Sequence, residues 1–182
     1  MFDGGISAEQ NHQNWCEQHP WAFGNQFVVT DSVRNNSSQD QVDLLMPSIA
    51  AGDRDIIELK RPDMDVVPYD STHRDYFFSR DVSVAIGRCH RYLDVVGEVA
   101  GKGLLGHRDI VSYHPEATIV IGRSADWDDD KIKALQGFNS GLSGIKVITY
   151  DHFLAQRDSL VSYLSSTTQQ DYEADLVDDA PR

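Results

Sequence analysis

The chain has 182 residues, 40% of them hydrophobic and 25% charged, which is one domain's worth of ordinary globular protein and excludes collagen, coiled coil and wholesale disorder. Twenty-nine acidic against 16 basic residues give a formal charge of -13, which argues against a general nucleic-acid coat or a basic membrane-surface binder. Two cysteines, Cys16 and Cys89, exclude a disulfide-dense secreted scaffold, and the absence of a long apolar run or a signal-like start points to a soluble, cytoplasmic protein with no membrane partner.

In chain order, residues 7–19 are expected to form a helix with Ser7 as its cap and Ala8, His12, Trp15 and His19 on one face, closed by Pro20. The aromatic turn Trp21-Ala22-Phe23-Gly24 leads to a strand over 26–30, and Asn35-Asn36-Ser37-Ser38 reads as a loop. Two apolar runs follow, Gln41 to Met46 and Arg54 to Lys60, joined by Ile49-Ala50-Ala51-Gly52-Asp53 and ended by Pro62, which predicts an antiparallel hairpin. Segment 63–80 is polar and aromatic without periodicity and reads as an irregular functional loop.

From Asp81 to about Val96, the residues Val84, Ala85, Cys89, Tyr92, Leu93 and Val96 recur at helical spacing. Gly101, Gly103 and Gly106 mark a turn. Residues 117–122 predict a buried strand, and 128–142 a helix opened by Asp128, Asp129 and Asp130, where acids complement the helix dipole. A strand over 145–150 and a last helix capped by Asp151 complete the α/β pattern, a central mixed β-sheet flanked by helices. A domain over 1–165 is expected, with an acidic, frayed tail over 166–182.

The chemistry lies in Glu58-Leu59-Lys60. Strand alternation puts Glu58 and Lys60 on one face, costly for an apolar strand unless they are paired or used. The other hairpin arm supplies Asp43. Two carboxylates at one edge, with the Leu59 carbonyl, form an oxygen donor set suited to Mg²⁺. Such an ion lowers the pKa of bound water, and Lys60 would orient or activate that water and stabilise the charge that builds on a phosphate. A surface ion pair is the commoner use of a Glu-x-Lys triplet, and Asp43 is what lifts this one above it. The histidines show no zinc spacing, the glycines at 101–106 no phosphate-loop pattern, and Asp126 to Asp130 lack the Gly and Glu of a calcium loop.

Asp43, the run Asp55-Ile56-Ile57-Glu58-Leu59-Lys60-Arg61-Pro62 and the helix after it resemble the PD-(D/E)xK nuclease superfamily. Within it, His19-Pro20-Trp21-Ala22-Phe23-Gly24, the Ile121-Gly122-Arg123 segment and Ile148-Thr149-Tyr150-Asp151 resemble the C-terminal nuclease domain of the Shedu anti-phage defence proteins. The resemblance spans about residues 7–160. It implies a restriction-endonuclease-like core and a Mg²⁺-dependent DNA endonuclease (Mn²⁺ a possible substitute), self-associating and acting on phage DNA. Asp43 and Glu58 would be metal ligands with the Leu59 carbonyl, and Lys60 the catalytic lysine. Where the family pattern has Gln four residues before Tyr, this chain has Arg88 before Tyr92. Arg61, Arg88 and Tyr92 are expected to face nucleic acid, and an acid of the first helix, Glu9 or Glu17, to assist. Arg88 also leaves open an alternative, a catalytically weakened member that binds nucleic acid or assembles. Full-length family members carry variable N-terminal regions, so the chain is either a minimal member or an excised domain.

Overall fold

The computed structural model describes residues 43–47, 54–99, 113–155, 158–159 and 162. The expected helix over 7–19, the strand over 26–30, the glycine turn at 101–106, Glu9, Glu17 and the acidic tail lie outside the described residues.

The hairpin forms as strands β1 (Leu44–Pro47) and β2 (Arg54–Leu59), antiparallel with Leu44 opposite Ile57. Strand β5 (Ala117–Val120) lies parallel to β2, and β6 (Ile145–Ile148) parallel to β5, giving a sheet of order β1-β2-β5-β6. Parallel neighbours require crossovers. Helix α1 (Arg80–Val99) leads from β2 towards β5, and α2 (Asp129–Ser140) joins β5 to β6. The expected class, α/β with a central mixed sheet flanked by helices, is the one observed.

Segment 63–80 is more ordered than its composition suggests. It contains a hairpin of β3 (Tyr69–Asp70) and β4 (Asp75–Tyr76), with Asp70 Oδ1 accepting from the Thr72 and His73 N–H groups at 2.8 and 3.3 Å. Strands of two residues are too short to show alternation, and the turn is made by a side chain rather than by Gly or Pro.

One sheet face carries Ile56, Ala117, Ile119, Ile145 and Val147 into a core with Val82, Ala85, Cys89, Tyr92 and Val96 of α1 and Leu135 of α2. Those α1 residues recur at three and four positions, the stripe a helix needs to bury one side. Ser79 caps α1, its Oγ accepting from Val82 N–H at 3.2 Å, and Asp128 caps α2 through Lys131 N–H at 2.8 Å. The opposite face of the sheet is also withdrawn from solvent, with Ile57, Leu59 and Val120 buried. No helix among the described residues is long and apolar enough to cross a membrane.

The last helix begins at Tyr150 (residues 150–155), so the expected strand over 145–150 stops at Ile148. Its cap is Thr149, whose Oγ1 accepts from His152 N–H at 3.3 Å, rather than Asp151. Asp151 instead accepts from the backbone N–H groups of Ser124 and Ala125 at 2.6 and 3.1 Å, tying the turn after β5 to the helix after β6. A long-range demand on the carboxylate thus overrides its local one.

The outer edge of β6 is closed by a side chain. Asn139 of α2 donates to Val147 C=O and accepts from Val147 N–H, both at 2.8 Å. Val147 is fully buried, so water cannot replace these bonds. Asn139→Ala is expected to lower the unfolding free energy by about 2–3 kcal/mol, read as a fall in the urea midpoint with unchanged slope. A loss under about 0.5 kcal/mol would show that the strand edge is satisfied some other way.

Candidate active site

Lys60, at the carboxyl end of β2, and Glu58 sit on the sheet face covered by α1. Register explains Asp43. Continuing the β1–β2 pairing one step beyond Leu44–Ile57 sets Asp43 across from Glu58, and residues directly opposite in an antiparallel pair project to the same side. Asp43 Oδ2 accepts from the Leu59 N–H at 2.7 Å, a bond that ties the two arms together where the strand ends.

Glu58 is 2% exposed, a degree of burial that a carboxylate tolerates only with partners. Lys60 Nζ contacts Glu58 Oε1, and Arg88 Nη1 of α1 approaches the same oxygen at 3.8 Å. Lys60 Nζ also lies 3.5 Å from the Leu59 carbonyl. Both cationic partners thus meet one oxygen, Oε1, and the other, Oε2, has no partner among the described residues. Amine and acid thus share one side of the sheet.

The neighbouring helix registers the same cluster. Cys89, fully buried, has its thiol pushed up to about 12, by burial first and then by the Glu58 and Asp43 charges, with Lys60 opposing. It is a neutral core group, not a nucleophile. Tyr92 is raised by burial, then by Glu58, with Arg88 and Arg91 opposing and Asp43 adding. Both carboxylates therefore act on the buried side of α1.

The remaining expected residues divide. Arg88 is half exposed and stands at the mouth of the site. Tyr92, expected to face nucleic acid, is only 6% exposed and lies in the core, because its position falls on the buried stripe of α1. Arg61 points into a two-pronged pair with Asp63, both bonds 2.9 Å, and touches neither Glu58 nor Asp43 through any of them. Arg80, Arg88 and Arg91 share one exposed stripe of α1, spaced by eight and three residues. Among the described residues no three His, Cys, Asp or Glu side chains gather around one point.

Further polar side chains, outside the Asp43, Glu58 and Lys60 set, gather at the carboxyl edge of the parallel strands, where open α/β sheets place their sites. Tyr150 donates its hydroxyl to the Lys60 carbonyl at 2.7 Å. Ser124 Oγ and Thr149 Oγ1 are 2.7 Å apart, with His152 Nδ1 3.1 Å from Thr149. The Ile-Gly-Arg and Ile-Thr-Tyr-Asp segments were the available signal, and only the folded sheet brings them beside Lys60.

Residues 7–154 match the family described as Shedu protein SduA, C-terminal. No curated protein matches the sequence. Among solved structures the chain is similar to one titled "crystal structure of a repair endonuclease from Pyrococcus abyssi", at 15% identity and a TM-score of 0.42, over 81% of this chain and 47% of that one. The chain thus spans about half of that protein's length.

Proposed function

The chain belongs to the Shedu protein SduA C-terminal family, and from that premise we propose that it is a divalent-metal-dependent DNA endonuclease of anti-phage defence. The observation that carries this reading is the buried Glu58 carboxylate with Lys60 on one oxygen, Asp43 across the hairpin register and the Leu59 carbonyl beside them.

These donors fit a hard cation. All are oxygens, two are formally anionic, and Oε2 of a carboxylate that is 2% exposed is left without a partner among the described residues. When bound, Mg²⁺ or Mn²⁺ would make a coordinated water acidic enough to attack a phosphodiester and would screen the charge that develops on it. Asp43 and Glu58 would hold the ion. Lys60 would orient the attacking water, accept or relay its proton, and stabilise the phosphorane charge. Arg88, Arg80 and Arg91 would meet the backbone phosphates, a local positive stripe on an acidic molecule. Tyr92 supports this site from beneath rather than stacking on a base.

The test is cleavage of plasmid and single-stranded DNA with Mg²⁺, Mn²⁺ or EDTA, for wild type and Glu58→Ala. Metal-dependent nicking by the wild type, lost in Glu58→Ala with an unchanged circular dichroism spectrum, is the expected result. Wild-type protein that is folded and inert with every metal on every substrate overturns the reading. The Arg88–Glu58 approach favours a second reading in that event, a weakened member whose arginine occupies the carboxylate. Salt-dependent DNA binding without cleavage would then be its signature. Two cuts in a duplex call for two such sites, so a self-associated form is part of the proposal, and light scattering that finds only monomer would remove it.

A further inference from the structure

Lys60 is the first residue beyond the end of β2, where a chain leaving a sheet ordinarily loses its ladder partners. Here it does not. The Lys60 N–H donates to Val120 C=O at 2.9 Å, the Lys60 C=O accepts from the Tyr150 hydroxyl at 2.7 Å, and the Arg61 C=O accepts from Gly122 N–H at 3.2 Å. Two of these bonds are backbone to backbone and survive most substitutions. The Tyr150 hydroxyl is the one supplied by a side chain, reaching back from the start of the helix after β6 across 90 residues of sequence. Tyr150 is itself fixed: it is 7% exposed and its N–H donates to Gly122 C=O at 3.1 Å.

We propose that Tyr150 is a positioning residue for Lys60, clamping the peptide plane that aims the ammonium at Glu58. This rests on the reading of Lys60 as the amine of a nuclease site. The orientation of the Lys60 carbonyl and the direction of its Cα–Cβ bond are coupled through ψ. A hydroxyl holding the carbonyl therefore limits the arc through which the Lys60 side chain can swing. The side chain is only 16% exposed and ends against a carboxylate nearly closed to solvent, so a small rotation of the peptide displaces Nζ from Oε1. Misplacement of a catalytic group by about 1 Å costs on the order of 10²-fold in rate.

Tyr150→Phe keeps the ring and its packing and removes the donor alone. Cleavage kinetics of the wild type, Tyr150→Phe, Lys60→Ala and the double variant test the proposal. The expected result is a fall in kcat of about 10- to 100-fold for Tyr150→Phe, with KM changed by less than about threefold, and no further loss when it is added to Lys60→Ala. An equal loss in both backgrounds means that Tyr150 only supports the fold, and an unchanged kcat means that the hydroxyl positions nothing; either overturns the proposal. Wild type inert under all metals marks failure of the nuclease reading instead. Crystal structures of wild type and Tyr150→Phe then decide the clamp by themselves. Nζ moved away from Glu58 in the variant supports it, and Lys60 in the same place in both defeats it.

Discussion

Lys60→Ala is expected to lower metal-dependent DNA cleavage by about 10²- to 10⁴-fold, the span for loss of a positioned acid–base and charge-stabilising group. That is roughly 3–5 kcal/mol of transition-state stabilisation. The amine sits against Glu58 Oε1 and within 3.5 Å of the Leu59 carbonyl, beside the proposed ion and its water. Removing it leaves Arg88, 3.8 Å from Glu58 and half exposed, as the nearest remaining cation among the described residues. The variant is therefore expected to unfold more easily by about 1–3 kcal/mol in EDTA. Divalent ions should return part of that loss, because a ligand bound only by the folded state stabilises it. Lys60→Arg separates the amine's roles: a guanidinium keeps the charge but takes up no proton near neutral pH. Activity retained in the arginine variant assigns Lys60 to electrostatics, and activity lost in both assigns it to proton handling or to the geometry of a compact head group. Cleavage by Lys60→Ala within about tenfold of wild type would take the amine out of the chemistry altogether.

Gly122→Ala is expected to be the most damaging small substitution in the described chain, costing about 2–4 kcal/mol. Gly122 has φ of +63°, a backbone region that a β-carbon disfavours. An added Cβ would also lie 2.5 Å from the Met64 carbonyl oxygen and in collision with Val66 Cγ2. The first of these is backbone, and Val66 is fully buried, so neither neighbour has room to yield. Gly122 N–H also supports the Arg61 carbonyl, so residual folded protein is expected to cleave poorly as well. Gly137 provides the internal contrast. It lies within α2, where an added Cβ meets nothing within 4 Å. Gly137→Ala is expected to stabilise by about 0.5–1 kcal/mol through a lower helix cost and a restricted unfolded chain. Urea unfolding of the two variants decides the matter, and a Gly122→Ala midpoint equal to wild type would mean that the turn after β5 adopts another conformation.

Much of this architecture was legible from local pattern. The β1–β2 hairpin, the α1 stripe of Ala85, Cys89, Tyr92 and Val96, the apolar β5 and the acidic start of α2 each follow from periodicity or from an end signal within a few residues. Val84, expected on that stripe, is instead 47% exposed, and Asp128 caps α2 rather than lying in its first turn. Glu58 and Lys60 could be placed on one face because strand alternation is a local rule. The β3–β4 hairpin leaves no periodic signal because its strands have two residues each, and Asp151 does not cap the last helix because a partner 27 residues away, Ser124, outcompetes the helix end. Tyr92 follows its spacing with Cys89 and Val96 onto the buried stripe, and the nucleic-acid contact implied by the family resemblance yields to that periodicity.

The sequence by itself determined the identity of the acid–lysine pair, its shared face and the family to which it points, since these depend on neighbours along one strand and on motifs read in line. Only the tertiary structure decided that Arg88 leans on Glu58, that Asp43 binds the Leu59 N–H across the hairpin, and that Tyr150 grips the Lys60 carbonyl. Those contacts join elements 16 to 90 residues apart. Their geometry is set by sheet register and helix packing, which sum many weak burial terms over the whole core and leave no short-range trace in the order of the residues.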